Sequence, residues 1–307
     1  MDSSPAVNLP NTLAKQANSL TQMKIPKRIQ PLVDDGLVDE VIRPLMSGKE
    51  AAVYIVRCGT AIRCAKVYKE ASKRSFKQAV QYQEGRTVRN SRRSRAMAKG
   101  SNFGRNEQEE AWQSAEVDAL YRLADAGIRV PQPYGCFEGV LLMELITDAD
   151  GQVAPRLNDV SLRPEEALEH HAVMMQYVQR MLCAGLVHGD LSEFNVLLDS
   201  NGPVIIDLPQ AVDAARNNHA QWMLQRDVDA ITTYYARYAP ELITTQYAKE
   251  MWALYQDGEL RPESRLTGQF EDTTPDADVE VVLDVIQIAM DEEYERRRRQ
   301  REAQESD

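Results

Sequence analysis

Three oxygen-bearing side chains stand at spacings that suit phosphoryl transfer. Asp190 and Asn195 share the stretch His188-Gly189-Asp190-Leu191-Ser192-Glu193-Phe194-Asn195, and Asp207 follows the apolar run Val204-Ile205-Ile206. A carboxylate such as Asp190 can accept the proton of an attacking hydroxyl, while Asn195 and Asp207 offer hard oxygen donors that can hold magnesium against nucleotide phosphates. Taken singly, each residue reads equally well as a turn residue or a strand end. Joined in order, the loop and the strand that ends in Asp form a combination that random sequence rarely supplies.

Such a site needs a cation and elements to position it. Apolar residues around Val41 to Met46 lead into Ser47-Gly48-Lys49-Glu50-Ala51-Ala52-Val53-Tyr54-Ile55-Val56, then a turn at Cys58-Gly59-Thr60, then Ala61 to Val67, which predicts a β-hairpin. Lys66 lies inside the second strand. Periodicity allows it to face outward, and phosphoryl transfer gives it a task, holding the α- and β-phosphates while a glutamate from a nearby helix holds it. The segment 107–126 supplies that helix, with Asn106 as N-cap, Glu109 three residues on and Gly127 just past the end. Trp112, Glu116, Leu120 and Leu123 share one face. A carboxylate on an apolar face is costly unless paired, so Glu116 either faces Lys66 or sits solvated at the rim of the stripe.

Further on, Val130-Pro131-Gln132-Pro133 reads as an extended link, followed by a hairpin turning at Glu138-Gly139 whose second strand, Val140 to Met143, runs into Glu144-Leu145-Ile146. Pro164 suits the first position of a long helix that Gly185 ends. Ala167, Val173, Met174, Tyr177, Val178, Met181 and Leu182 form its core face. Two short strands, Val196 to Leu198 and Val204 to Ile206, flank the hairpin turn Asp199-Ser200-Asn201-Gly202. Helices are expected from Arg226 through Tyr238 and from Pro240 to about Tyr255. Asp227 either braces the catalytic loop through its backbone or is a capping or solvated residue. A last helix from about Asp278 ends in Arg296-Arg297-Arg298-Arg299, a basic end that suits the helix dipole.

With 307 residues, 43% hydrophobic and 27% charged, the chain can bury the cores of two lobes. It has no run of roughly 18 apolar residues and no apolar signal-peptide core, so neither a membrane partner nor secretion is indicated and a cytoplasmic location is expected. Cys58, Cys64, Cys136 and Cys183 form no CxxC pair and are expected to be buried, reduced thiols. Between Lys73 and Arg105 stand ten basic residues against Glu84, a net +9 that leaves −20 for the rest of a chain whose total is −11.

Together these pieces resemble the RIO family of atypical serine/threonine protein kinases, nearest its first subfamily. The matching residues are Ser47-Gly48-Lys49-Glu50-Ala51 with Val53-Tyr54, the Lys66 strand, Ser75-Phe76-Lys77, Trp112 with Glu116, Arg129-Val130-Pro131, Leu142-Met143-Glu144, HGDLSEFN, and Ile205-Ile206-Asp207 with Gln210, in order over roughly Ser47 to Val228. The resemblance implies an α+β, two-lobed protein-kinase-like fold that lacks the usual activation segment and peptide-docking helices. Residues 1–40 would be an N-terminal extension, 41–143 a small β-rich lobe with a basic insertion at about 73–105, 144–295 the hinge and helical lobe, and 296–307 a charged tail.

The same resemblance implies ATP with Mg2+, or Mn2+ in its place. Asp190 is then the catalytic aspartate, Asn195 and Asp207 the metal ligands, Lys66 the phosphate-holding lysine and Glu116 its partner. Ser47, Gly48, Lys49, Glu50 and Ala51 would form the phosphate loop. Val53, Met143, Glu144, Ile146 and Glu193 complete the nucleotide site, the backbones of Glu144 and Ile146 meeting the adenine edge. Several departures from ordinary protein kinases bear on activity. There is no GxGxxG; Gly189 replaces the arginine of the HRD triplet; Ser192 stands where a lysine neutralises the transferring phosphate. In the family these accompany ATPase behaviour and serine autophosphorylation, with Asp207 also a candidate phosphate acceptor. Leu208-Pro209 replaces the family's usual Val-Ser, and Pro209 lacks an N–H.

The basic segment 73–105 reads as an RNA or ribonucleoprotein contact or as a soluble insertion. Two other functions use the same residues: a small-molecule phosphotransferase of the aminoglycoside or choline kinase type, and an ATP-gated assembly factor with little turnover. The protein substrate is not legible.

Overall fold

A computed structural model of the chain describes residues 25–48, 51–69 and 115–271. The chain divides into two units, Met1–Gln269 and Phe270–Asp307, and every element below belongs to the first. Lys49, Glu50, the basic segment 73–105, Trp112, and the expected last helix and tail lie outside the described residues.

Alternation of apolar residues builds an antiparallel sheet from β1 (Glu40–Ser47), β2 (Ala51–Cys58), β3 (Ala61–Tyr68), β4 (Pro133–Phe137) and β5 (Val140–Glu144), in the order β1-β2-β3-β5-β4. The turn between β4 and β5 has positive φ at both central residues, 48° at Glu138 and 78° at Gly139, the backbone that suits a two-residue hairpin. Within the stretch read as an N-terminal extension, a short helix α1 (Gln30–Asp34) packs Leu32, with Ile29 just before it, into a cluster with Val56, Ala65, Val140 and Leu142. Arg28 also donates to the Tyr68 carbonyl at 2.7 Å, tying this stretch to the end of β3.

A helix α2, described over 115–125, buries Leu120 and Leu123 in a core shared with Leu141 of β5 and with the helical lobe. That lobe is built on α3 (Pro164–Cys183), which starts with Pro at its first turn and the Arg163–Glu166 capping box. Of the expected α3 core face, Ala167, Met174, Val178, Met181 and Leu182 are buried, Val173 and Tyr177 only half-buried, and His171, Met175 and Gln179 join the interior. Two small ladders follow: β6 (Leu186–Val187) with β9 (Val212–Asp213), and β7 (Val196–Asp199) with β8 (Gly202–Ile205).

Three expectations need correction. Helix α4 runs Ala220–Tyr235 and so starts well before Arg226; the turn at Asn217, whose side chain accepts the His219 N–H at 2.8 Å, leads straight into it. The expected helix from Pro240 is a 3-10 turn, Pro240–Thr244, and a separate α5, Tyr247–Gln256. Extended backbone at Thr245 separates them, and the Gln246 N–H bonds the Gly268 carbonyl instead of continuing a helix. The cysteines are free, but only Cys64 is buried; Cys136 is exposed. The result is an α+β chain with a sheet lobe and a helical lobe, joined at the end of β5.

Candidate active site

Register within the sheet decides where Lys66 points. It pairs with Val53 of β2 and Leu141 of β5, which sets its side chain on the sheet face that looks toward α2 and the helical lobe. There its ammonium meets Glu116 Oε1 at 2.6 Å and Asp207 Oδ1 at 2.8 Å, so one cation bridges α2, β3 and the segment after β8. Glu116 is 2% exposed, and its other oxygen accepts the hydroxyl of Tyr68. Two readings of Glu116 were open in the sequence, and the structure selects the paired one.

The electrostatics follow from this packing. Burial would lower the Lys66 ammonium pKa, but Glu116 and Asp207 outweigh it and hold the group above its ordinary value. At Asp207 crowding by the protein pushes the carboxyl up, while Lys66 draws it down further, with His188 and Arg156 assisting, and leaves it below the usual carboxylate range. Burial and the adjacent Glu116 carboxylate raise the Tyr68 phenol, which therefore stays a donor.

The loop 188–195 is held by side chains from other elements. Asp227, buried on α4, accepts the Gly189 N–H at 2.7 Å and the Leu191 N–H at 3.0 Å, and Arg226 donates to the Gly189 carbonyl. Asp227 thus braces the loop from below. Burial pushes its carboxyl up to about 7, against Arg226 and the two N–H groups, which pull it down. His188, driven down to about 4 by burial, is a neutral imidazole at pH 7. Its Nε2 contacts the Ile206 carbonyl at 3.2 Å and its Nδ1 accepts the Asp190 N–H at 3.3 Å, which couples the loop to the strand before Asp207. Gly189 has φ 80° and Asp207 φ 67°, both left-handed. Glycine at 189 therefore has a backbone reason beyond the absent arginine.

Asn195 donates from Nδ2 to the Asp190 carbonyl at 2.8 Å, leaving its amide oxygen for another partner. Asp190 itself is exposed. Asn195 and Asp207 line a cleft of about 630 Å³ between the lobes, with Gly48, Ala51, Val53, Lys66 and Glu116 on the sheet side and Met143, Glu144 and Ile146 at the junction. Ser47, Asp190 and Glu193 are not among its lining residues. Ser47 Oγ is 3.3 Å from Lys69 Nζ, and Lys69 also donates to the Gly48 carbonyl. Glu193 turns to Arg237, just past the end of α4, 3.8 Å away. At the junction the Glu144 N–H bonds the Gln132 carbonyl at 2.9 Å, and the Ile146 carbonyl accepts the Ala154 N–H at 3.0 Å.

Sequence reasoning gave no role to Tyr68, Arg129 or Arg156. Tyr68 was within reach of it, since a residue two positions from Lys66 in a strand shares its face. Arg129, from the link before β4, grips the Glu144 carboxylate with both guanidinium nitrogens at 2.7 and 2.8 Å and reaches Asp199 at 3.2 Å. Only the folded register brings these three together.

Comparison with known proteins identifies the family. A family model described as the RIO domain matches residues 52–248. The chain is 34% identical over 213 residues to the RIO-type serine/threonine-protein kinase Rio1 of Haloferax volcanii, covering 68% of each chain. It is 32% identical to the human serine/threonine-protein kinase RIO1, of which it spans only 36%. Among solved structures it resembles the Rio2 kinase–ADP/Mg2+–phosphoaspartate complex from Chaetomium thermophilum, with TM-score 0.53, 22% identity, and 82% of this chain and 76% of that one covered. By sequence and by fold, the chain belongs to the RIO family of serine/threonine-protein kinases.

Proposed function

We propose that the chain is an ATP- and Mg2+-dependent RIO-type serine/threonine kinase that phosphorylates itself and hydrolyses ATP. The observation that carries this reading is Lys66 bridging Glu116 and Asp207 in one cleft beside Asn195. A lysine so held presents its remaining N–H to phosphate oxygens from a fixed position. The adenine edge would meet the Glu144 carbonyl and the Ile146 N–H, since the Glu144 N–H and the Ile146 carbonyl are bonded within the protein.

The donor set suits magnesium. The amide oxygen of Asn195 and the second oxygen of Asp207 are hard ligands on the cleft wall, and the Asp207 side chain is 48% exposed there. When bound, the ion would neutralise charge on the phosphates. Asp190 accepts the proton of the attacking serine hydroxyl or water, and its loop is fixed by Asp227 and Asn195. Where no hydroxyl is in place, a carboxylate oxygen of Asp207 can attack the γ-phosphorus. The bond to the β-phosphate oxygen breaks, ADP leaves, and water later cleaves the aspartyl phosphate to aspartate and phosphate.

The span between the lobe junction and α3, 147–163, contains a single 3-10 turn, Leu157–Asp159, which gives no room for the helical substrate subdomain of a small-molecule kinase. The test follows labelled ATP with purified wild type and Asp190→Ala. Phosphate release and labelled protein from the wild type, both lost in the variant, are expected. Binding without either product would leave an ATP-gated assembly factor as the surviving reading.

A further inference from the structure

Arg156 lies in the linker that follows the lobe junction and is one of the residues lining the cleft. Its backbone is fixed to the floor: it forms a bridge with Leu197 of β7, and the neighbouring Pro155 carbonyl accepts the Leu198 N–H at 2.9 Å. Its side chain crosses to the roof, where Nη2 reaches Met46 Sδ of β1 at 2.8 Å. Among the described residues this thioether is the guanidinium's one hydrogen-bond partner. A thioether is a weak acceptor, and a guanidinium carries five N–H donors.

Charge within the cleft makes that weak contact informative. The lining includes four carboxylates, Glu116, Glu144, Asp159 and Asp207, and two described cations, Lys66 and Arg156. Lys66 is already answered by Glu116 and Asp207, and Glu144 is gripped by Arg129. Arg156 is thus the described cation of the cleft that no carboxylate holds. It lines the same cleft as Asp207. A polyanion entering beside Asp207 meets a guanidinium whose planar fork matches phosphate oxygens far better than sulfur.

We infer that Arg156 is a nucleotide-binding residue that leaves Met46 and contacts the phosphate chain of ATP, clamping the triphosphate between the floor and roof of the cleft. This rests on the reading of the cleft as an ATP site. It also gives a cation to a phosphate site whose catalytic loop carries Ser192 and no lysine.

The test is calorimetric binding of MgATP and of adenosine to the full chain, wild type, Arg156→Leu and Arg156→Lys, each checked for an unchanged thermal midpoint. Loss of a charge-assisted contact predicts MgATP binding weakened about tenfold or more in Arg156→Leu, adenosine binding unchanged, and partial recovery in Arg156→Lys. MgATP binding equal to wild type overturns the inference and leaves the ATP site standing. So does an equal loss for MgATP and adenosine, which would assign Arg156 to the nucleoside. A wild type that binds no MgATP overturns the ATP site itself, and the inference with it.

Discussion

Tyr68 donates its hydroxyl to the Glu116 oxygen that Lys66 leaves unoccupied, so a carboxylate that is 2% exposed has both oxygens satisfied. The strand that presents the cation therefore also presents the group that holds the cation's partner in place. A buried carboxylate with one oxygen unmet is costly. Tyr68→Phe keeps the ring and removes only the donor; the expected outcome is a loss of about 2 kcal/mol in urea-unfolding free energy. A double-mutant cycle with Glu116→Gln reads the coupling, and strictly additive effects would sink this account.

Breaking the ion pair itself should be harsher. Glu116→Ala leaves the Lys66 ammonium buried with only Asp207, and removing one partner of a buried pair costs about 3–5 kcal/mol. The exposed Asp207 carboxylate compensates in part, which places the expectation at the lower end. Chemical denaturation with MgATP absent measures it, and a change below about 1 kcal/mol would contradict a buried, load-sharing pair.

Asp227 offers a route to the catalytic loop that leaves the reacting groups untouched. Asp227→Asn turns one of two acceptor oxygens into an amide that confronts the N–H of Gly189 or Leu191. The loop must shift, and a displacement of about 1 Å near the chemistry can cost about a hundredfold. Turnover of labelled ATP is expected to fall by that order while MgATP affinity changes little. Unaltered turnover would show that the loop holds its shape without the brace.

Acid sensitivity should trace in part to His171. Its Nε2 sits 2.9 Å from Thr232 Oγ1, and burial pushes the imidazole down to about 4. Unfolded, it titrates near ~6.5, so between those values the unfolded state binds more protons and acid favours unfolding. Its stabilising contribution is intact above pH ~6.5 and is lost as pH falls toward 4, by up to about 3 kcal/mol. Unfolding free energies at pH 7 and pH 5 should converge less for wild type than for His171→Gln, whose stability falls less on acidification. Parallel pH dependence in the two proteins would remove His171 as the cause.

Arg129→Lys probes the lobe junction. A lysine cannot reproduce the two-pronged grip on Glu144 while also reaching Asp199. These side chains are partly exposed, so a stability loss of only about 1 kcal/mol is expected, accompanied by a higher KM for ATP with kcat little changed. A fall in kcat at constant KM would place the effect elsewhere.

What the sequence reveals and what it conceals divide along a physical line. The pairing of Lys66 with Glu116 is legible because a carboxylate among Trp112, Leu120 and Leu123 violates the helix's own pattern, and a violated pattern points to a partner. The hairpin at Glu138-Gly139 is legible because local backbone preference fixes it. The contacts of Arg129 and Arg156 are not, because each depends on residues distant in the chain. Thr232 meets His171, Asp199 meets Arg129, and Met46 meets Arg156 only once strand register and lobe packing are set. Gly189 lies between: its place in the motif is visible, whereas the positive φ that favours glycine there is a property of the fold.

The left-handed backbone at Asp207 decides which replacement is a fair probe of that carboxylate. Alanine at φ 67° carries a conformational penalty of roughly 1–2 kcal/mol, whereas asparagine tolerates this region almost as aspartate does. A variant library screened at this position would therefore score alanine as doubly defective and asparagine as purely chemically defective. The difference between the two isolates how much of the position's demand is for shape and how much for charge.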